Sequence, residues 1–254
     1  MAVLDGFNLA RLERRTDWTP NVFSLRLTGA PLTFKAGQFT KLGLLDDEGN
    51  MISRAYSLVN APLNTSDMLE FLIVAHPEGK LTPKLQQLQT GDGVYVGKEA
   101  YGDLTFDIIP KQTQNLWLLS TGTGIGPFLS LLDDMNFRPS CDEIVLVHAV
   151  RHEKELVYRY LIDQLVQQYE GRLRYLPVVS RDPDTTHLSG RIPQLLQSGA
   201  LLRSADVSLA PELSFVMLCG NPEMIKDTQQ TLMEMGLNKY RRATGGNIIF
   251  ERYW

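Results

Sequence analysis

Short apolar runs separated by turn residues fill the first hundred residues of the chain. In NVFSLRLTG the apolar residues Phe23, Leu25 and Leu27 occupy alternate positions, which is the period of a half-buried strand. Comparable runs occur in GQFTKLGLL, MISRAYSLVN, LEFLIVAH and GDGVYVG. Strands of this length and spacing predict a closed barrel or a sandwich.

One helix is expected among these strands, at TPKLQQLQTG. Thr82 is in the position of an N-cap, Pro83 suits the first turn, Leu85 and Leu88 share a face, and Gly91 ends the pattern. The N-terminus of such a helix also suits an anion.

The second half of the chain alternates between strand and helix patterns. The continuous apolar runs are NLWLLS, EIVLVHAV, RLRYLPVVS and FVMLCG, and helical segments follow them, among them KELVYRYLIDQLVQQYEG and NPEMIKDTQQTLMEMG. This alternation predicts βαβ units and a parallel sheet. The change falls near FDIIPKQTQN, so we expect one domain over residues 1–107 and another over residues 108–254.

Composition narrows the class of protein. The chain has 254 residues, 43% hydrophobic and 21% charged, which are globular values, and its net charge of -4 argues against a nucleic-acid binder. Cys141 and Cys219 are too few for a disulfide framework or an iron–sulfur cluster. HEKEL and DDEGN lack the remaining ligands of zinc and calcium sites. Without a secretory signal or a membrane-length apolar run, we expect a cytoplasmic protein without metal or membrane contact.

STGTGIGP lies where the first parallel strand should turn into its helix. Alternating glycines allow a sharp turn and a close approach by a ligand, and Pro127 suits the first helical turn. Free N–H groups there could hold pyrophosphate oxygens, so we expect Thr121, Gly122 and Gly124 to bind a dinucleotide. A tight turn without a ligand is the alternative.

Basic residues follow the next two strands. Val150 and Arg151 end one, Ser180 and Arg181 end the other, and Arg191 lies in the loop beyond. Serine and arginine at the carboxyl edge of a parallel sheet fit the 2′-phosphate of NADP. The alternative is that these are solvated loop arginines.

CGNPEM follows the last apolar strand and reaches the same edge. Asn221 can cap the next helix, Pro222 suits its first turn, and Cys219 and Gly220 would approach the nicotinamide. A lone cysteine in such a run is otherwise a small buried thiol.

These segments, taken in order, resemble the ferredoxin–NADP reductases. The resemblance covers nearly the whole chain and is carried by AGQF, RAYS, EGKLTPKL, TGTGIGP, VVSR and CGNP. RAYS, the short segment between the domains and the terminal ERYW resemble the bacterial flavodoxin/ferredoxin–NADP reductases. The resemblance implies an antiparallel β-barrel that binds FAD, followed by an α/β domain that binds NADP(H).

The resemblance also assigns residues to FAD. It implies that Arg54 contacts the pyrophosphate, that Tyr56 covers the flavin and that the Ser57 hydroxyl lies near flavin N5. Arg54 and Tyr56 are two residues apart and share a strand face, whereas Ser57 faces the other way. The other expected FAD residues are Ala55, Leu72, Ile73, Val74, Gly79, Lys80, Leu81, Thr82 and Thr123.

The C-terminal NIIFERYW should form a final strand whose aromatic residues are docked, since a terminal strand otherwise frays. The resemblance places Tyr253 and Trp254 against FAD, and Phe250 at the flavin face that nicotinamide approaches. Glu251 is a candidate for a charge near the reacting centre. We expect Ser57, Cys219 and Glu251 to position and tune the reaction, because the hydride chemistry belongs to the cofactor.

The family exchanges electrons with ferredoxin or flavodoxin, so an acidic carrier is the expected partner of a chain that we expect to be a monomer. Basic residues could form part of a docking face. They are Arg11, Arg14, Arg15, Lys35, Lys41, Lys239, Arg241, Arg242 and Arg252. Scattered solvated charges are the alternative.

Two other functions remain open at the level of sequence. One is a free flavin reductase or oxygenase-component reductase of the same superfamily; such chains often carry an additional iron–sulfur domain, and the cysteine run of that domain is missing here. The other is a non-catalytic module that senses NADP, which would be colourless.

Overall fold

The structure is a computed structural model that describes residues 5–62, 67–136 and 139–252. The chain divides into two units, which we describe separately. The first comprises Met1–Thr105 with Leu129–Asp134, and the second comprises Phe106–Phe128 with Met135–Trp254.

Among the described residues, the first unit is built on one six-stranded antiparallel sheet. Its elements are β1 (Phe7–Asp17), β2 (Val22–Thr28), β3 (Phe39–Leu45), β4 (Met51–Ser57), β5 (Leu69–Val74), α1 (Thr82–Gln87) and β6 (Gly93–Gly97). The strand order is β4-β3-β6-β1-β2-β5. An antiparallel bridge from Leu58 to Phe71 joins the two edges, so the sheet closes toward a barrel as the sequence predicts.

The alternation of NVFSLRLTG is confirmed. Phe23, Leu25 and Leu27 point into the core of the barrel and are fully buried. That core binds the sheet together, because each strand contributes apolar side chains from one face.

Two expectations for this unit are wrong. Thr82 is not the N-cap of α1: Leu81 takes that position without a side-chain cap, and the Thr82 hydroxyl instead accepts a hydrogen bond from the N–H of His76. The helix also ends at Gln87, before Gly91. The longest strand, β1, has no counterpart among the predicted strands, because a bulge between Leu12 and Arg14 interrupts its alternation.

The second unit is an α/β layer whose described strands form one parallel sheet. Its elements are β7 (Asn115–Thr121), α2 (Gly126–Asp133), β8 (Glu143–Val150), α3 (Arg159–Gln168), β9 (Leu173–Val179), β10 (Leu188–Ser189), α4 (Ile192–Gln197), α5 (Ala200–Ala205), β11 (Ser214–Gly220), α6 (Pro222–Glu234) and β12 (Ile248–Arg252). The last residues of α2 belong to the first unit.

The order of this sheet, β10-β9-β8-β7-β11-β12, places β7 and β11 side by side although they are distant in sequence. The chain winds outward from β7 through β8 and β9, then crosses back to β11. The crevice at such a reversal, outside the carboxyl ends of the strands, is where open parallel sheets bind ligands. The predicted fold class, an antiparallel barrel followed by a parallel α/β layer, is therefore confirmed.

The helix predicted from Lys154 begins later, at Arg159. Tyr158 has a left-handed backbone with φ of 58° and interrupts the helix, and the preceding segment Glu153–Glu155 is a 3-10 turn. Leu156 packs with Val150 and Val179 as a small apolar cluster, which explains the apolar spacing that suggested a longer helix.

Within the part of the chain that the structure describes, no helix is both long and apolar enough to cross a membrane.

Candidate functional site

The turns that follow β7 and β11 meet backbone to backbone. A β-carbon added at Gly124 would overlap the Cys219 carbonyl group and lie 2.8 Å from the Cα of Gly220. One added at Gly220, where φ is +134°, would lie 2.8 Å from the Thr121 carbonyl oxygen. The backbone N–H of Asn221 donates to the Thr121 hydroxyl at 2.9 Å. Glycine is therefore required at both positions, and the two turns form one rigid edge of the crevice.

The Gly-rich turn is more regular than the sequence suggests. Gly122 adopts a left-handed φ of +54° and opens a 3-10 turn over Gly122–Ile125, which continues directly into α2. Pro127 is the second residue of α2, as expected. The first-turn N–H groups of such a segment lack partners within the helix, so they are available to an anion.

Asn221 caps α6 as predicted. Its side-chain oxygen accepts hydrogen bonds from the N–H groups of Glu223 at 2.8 Å and Met224 at 3.2 Å, and Pro222 is the first helical residue. Cys219 is fully buried and stands in register with Ser120 on one side and Glu251 on the other. The structure thus brings the predicted residues Cys219 and Glu251 onto neighbouring strands.

The residues expected to meet a 2′-phosphate lie at the same edge of the sheet. The Ser180 N–H and hydroxyl both donate to the Val150 carbonyl at 3.1 Å, and the Arg181 N–H donates to the Arg151 carbonyl at 2.9 Å. Backbone hydrogen bonds therefore join the loops that follow β8 and β9. The side chains of Arg151, Arg181 and Arg191 are exposed, so they are accessible to a ligand.

Asp182, which was not among the predicted site residues, strengthens the connection between these two loops. One oxygen of Asp182 lies 2.6 Å from His152 Nδ1, and the other accepts from the N–H of Glu153 at 2.7 Å. These two partners, the backbone N–H first, hold the pKa of Asp182 below its ordinary value. Asp182 therefore stays anionic and fixes the loops that carry Arg151 and Arg181.

The RAYS segment ends β4, an edge strand of the first unit. Arg54 and Ala55 are exposed, Tyr56 is half-buried and Ser57 is buried. Arg54 donates to the Ser53 carbonyl at 2.7 Å. Burial raises the pKa of Tyr56 to about 12, outweighing the opposing charge of Arg54, so the phenol is neutral at physiological pH.

The expected FAD residues of β5 and the following loop divide into two kinds. Ile73 packs in the barrel core, so a ligand could reach only its backbone, whereas Leu72 lies outside that cluster and Val74 is half-buried. In the loop the Gly79 N–H donates to the His76 carbonyl at 2.8 Å. Lys80 is exposed and Leu81 is buried in the core.

β12 carries Phe250 and Glu251, both half-buried, and ends at the exposed Arg252. The Arg252 guanidinium lies 5.0 Å from the centre of the Phe250 ring, a cation–π contact. Tyr253 and Trp254, which the resemblance assigns to FAD, lie outside the described residues.

The basic residues differ in how engaged they are. Arg15 donates to the carbonyls of Gln86 and Leu88 at the end of α1 and pairs with Asp17 at 3.1 Å. The others in the predicted set are exposed.

The residues present fit a flavin dinucleotide by one test in particular. The Ser57 hydroxyl is buried and has no hydrogen-bond partner among the described residues, although a buried hydroxyl is normally satisfied. Arg54, three residues earlier on the same strand, is exposed and can pair with phosphate. In the described ranges, no group of histidine, cysteine and carboxylate side chains is arranged to hold a metal ion.

Comparisons with known proteins agree with this arrangement. The family described as Oxidoreductase FAD-binding domain matches residues 10–104, and the family described as Oxidoreductase NAD-binding domain matches residues 118–230. The chain is 45% identical over 239 residues to a flavodoxin/ferredoxin–NADP reductase of Escherichia coli, covering 94% of this chain and 95% of that protein.

It is also 35% identical over 246 residues to a ferredoxin–NADP reductase of Pseudomonas aeruginosa, covering 92% of this chain and 93% of the relative. The crystal structure of a ferredoxin NADP+ reductase from Neisseria gonorrhoeae with bound FAD and NADP matches with a TM-score of 0.89 and 34% identity, covering 98% of this chain and 99% of that one. The resemblance to bacterial proteins is thus confirmed.

Proposed function

The chain belongs to the flavodoxin/ferredoxin–NADP reductase family, and from this premise we propose which of its residues serve the activity. It is an FAD-dependent oxidoreductase that exchanges a hydride with NADP(H) and single electrons with ferredoxin or flavodoxin. The observation that carries the assignment within the structure is the backbone contact between the turns after β7 and β11, which builds a dinucleotide crevice at the reversal of the sheet.

Two stretches of the first unit supply part of the FAD contacts. Arg54 pairs with the pyrophosphate, Tyr56 covers the flavin ring, and Ala55 and Ser57 complete the strand edge. The remaining contacts come from Leu72, Ile73, Val74, Gly79, Lys80, Leu81, Thr82, Thr123, Phe250, Tyr253 and Trp254. This set is supported by the exposure of Arg54 and by the Ser57 hydroxyl, for which the described part of the chain offers no hydrogen-bond partner.

NADP(H) is held at the parallel sheet. Thr121, Gly122 and Gly124 receive the pyrophosphate, Gly220, Asn221 and Pro222 border the nicotinamide half, and the 2′-phosphate meets an arginine cluster. That cluster comprises Arg151, Arg181 and Arg191 together with Ser180 and the end of β8 at Val150. This assignment is supported by the exposed guanidinium groups on loops that backbone hydrogen bonds hold together.

Bound FAD supplies the chemistry, because it accepts a hydride and releases electrons singly. The protein supplies orientation and charge. Ser57 presents a hydroxyl donor to the flavin edge, and Cys219 fills the space beside the nicotinamide. Glu251, in register with Cys219, places a carboxylate near the reacting atoms. Phe250 would lie at the flavin face that nicotinamide approaches, and would control access to that face.

We set the FAD module at residues 1–107 and the NADP module at residues 108–254, with the C-terminal tail returning to FAD. The enzyme works as a cytoplasmic monomer. The acidic carrier docks on a basic face to which the exposed arginines and lysines contribute.

A visible absorption spectrum of the purified protein tests the assignment first, since flavin bands are expected and a colourless protein would refute it. Stopped-flow reduction should then be faster with NADPH than with NADH. Arg181→Ala should raise KM for NADPH about tenfold and leave NADH unchanged, because it removes a charge-assisted contact to the 2′-phosphate. The exposed Arg203 of α5 provides the control Arg203→Ala.

Cytochrome c reduction with and without flavodoxin completes the test. Dependence on flavodoxin is expected of this family, whereas equal rates without a carrier would indicate a free flavin reductase.

A further inference from the structure

His148 is a buried histidine to which none of the roles above is assigned. It lies on the central strand β8, in the otherwise apolar run EIVLVHAV, and its side chain has no exposed surface. Burying a polar ring in such a strand destabilises the fold unless a hydrogen bond compensates for the lost contact with water.

Within the described ranges the ring makes one hydrogen bond, and it is directed at the Gly-rich turn. His148 Nε2 lies 3.1 Å from the carbonyl oxygen of Gly122. A carbonyl only accepts, so Nε2 carries the hydrogen. Nδ1 is buried without a partner in the described ranges, which leaves it unprotonated. Burial lowers the pKa of His148 to about 4, so the imidazole is neutral and keeps this one tautomer.

Gly122 needs such a restraint. Its φ is +54°, and a β-carbon added there would meet nothing within 4 Å. Glycine has the widest backbone freedom of any residue, so the hydrogen bond from His148 adds to the hydrogen bonds of the 3-10 turn in fixing this peptide. A carbonyl that turned outward would face the phosphate oxygens and repel them.

The planar trans peptide connects the two ends of this restraint. The Gly122 carbonyl and the Thr123 N–H point in opposite directions across one peptide plane. When His148 holds the carbonyl, the N–H of Thr123 points away from His148, toward the N-terminal side of the 3-10 turn, where an anion is favoured.

We propose that His148 is a positioning residue for NADP(H): its Nε2–H holds the Gly122 carbonyl and thereby directs the backbone N–H of Thr123, in addition to the FAD contact assigned to that residue, at a phosphate of the bound NADP(H). This inference rests on the proposed function, and it adds a residue that touches neither cofactor.

The test compares amides of different reach in the FAD-loaded enzyme. In His148→Gln the side-chain amide can occupy the place of Nε2 and donate to Gly122, whereas the shorter amide of His148→Asn cannot reach it. Both bury the same group. Calorimetric titration with NADP+ should show the dissociation constant rising about tenfold in His148→Asn and in His148→Leu, the loss of about one hydrogen bond, and by less than about twofold in His148→Gln.

A control separates positioning from stability. Val147→Ala removes buried volume at the neighbouring position of β8, whose side chain packs in the apolar core and faces the opposite side of the strand from His148, so it should lower Tm and leave NADP+ affinity unchanged. Equal weakening in His148→Gln and His148→Asn would overturn the proposal, as would a loss of affinity in Val147→Ala that matches its loss of Tm.

A measurement on the unmodified enzyme decides the matter if a variant fails to fold. Amide hydrogen exchange should slow at Thr123 when NADP+ is added, and unchanged exchange there overturns the proposal. If the unmodified enzyme binds no NADP+, the proposed function falls and this inference with it. If it binds normally and the variants do too, this inference alone falls.

Discussion

The two units offer their ligands different parts of the chain. On β4 the first unit presents side chains, with Arg54 exposed at a sheet edge and, among the described residues, hydrogen-bonded to the carbonyl of its own neighbour. At the end of β7 and β11 the second unit presents backbone, with Gly124 and Gly220 set against opposing peptide groups. A side chain on an edge can be removed without disturbing the fold, whereas a backbone crevice cannot change without moving the strands that form it. Binding and stability should therefore separate at Arg54 and coincide at the backbone crevice formed by Gly124 and Gly220.

The largest effect is expected for Gly220→Ala. A β-carbon would collide with Thr121, and φ of +134° is strained for any other residue, so stability should fall by about 4 kcal/mol and NADP+ binding should disappear with it. Urea unfolding and NADP+ titration measure the two. Gly171→Ala is the control, because Gly171 has φ of +87° with open space around it and should cost only about 1 kcal/mol. Equal costs at both glycines would contradict the backbone argument.

The next largest effect is a pH dependence in the second unit. His148 has a pKa of about 4 when folded, against 6.5 ordinarily, so the unfolded chain binds a proton that the folded chain does not. This difference contributes about 3 kcal/mol to the free energy of unfolding. The contribution is fully present above pH 6.5 and is lost as the pH falls toward 4. Between pH 7 and pH 5 the wild type should lose about 2 kcal/mol more of its unfolding free energy than His148→Gln does. Parallel losses in urea unfolding would show that the histidine is not the source.

Arg54→Ala should separate binding from folding in the first unit. The exposed side chain contributes less than about 0.5 kcal/mol to stability, but losing a charge-assisted contact to pyrophosphate should weaken FAD binding roughly thirtyfold. Titration of the apoprotein with FAD measures the affinity. Lys98→Ala, which removes another exposed positive charge, should change neither quantity. A fall in stability as large as the fall in affinity would erase the contrast between the units.

Ser57→Ala should be nearly neutral in the apoprotein, or stabilising by up to about 1 kcal/mol, because the buried hydroxyl has no partner among the described residues. Flavin reduction by NADPH should nevertheless slow. Ser24 is a matched control: it is equally buried but accepts from Trp18 Nε1 at 3.3 Å, so Ser24→Ala should cost about 1 kcal/mol. If both substitutions destabilised equally, the Ser57 hydroxyl would have an internal structural role instead.

The smallest effect is expected at the docking face. Arg14→Gln should slow reduction of an acidic carrier by about twofold at low ionic strength and have no effect at high salt, because a single exposed charge contributes little and is screened. A rate that is the same at both salt concentrations in wild type would remove the electrostatic docking idea altogether.

The sequence predicted what depends on local rules. The strand–helix rhythm, the cap at Asn221 and the glycines at 122, 124 and 220 follow from periodicity and backbone sterics, and each is in its expected place. It failed where a tertiary contact decides: Thr82 turns its hydroxyl to His76, and Tyr158 stops a helix that the apolar spacing would extend. His148 and Asp182 were missed because their partners lie 26 and 30 residues away. A histidine inside an apolar strand was the available signal for the first.

Arg15 shows how a count of basic residues can mislead. Its guanidinium is bonded to the last carbonyls of α1 and to Asp17. Arg15 therefore stabilises the first unit internally and does not serve as a docking residue for the carrier. In an alanine scan across RLERR, a slower carrier reduction by Arg15→Ala would be attributed to lost carrier binding. Its cause would instead be the lost hydrogen bonds at the end of α1. Thermal melting measured for each variant would distinguish a loss of stability from a loss of carrier binding.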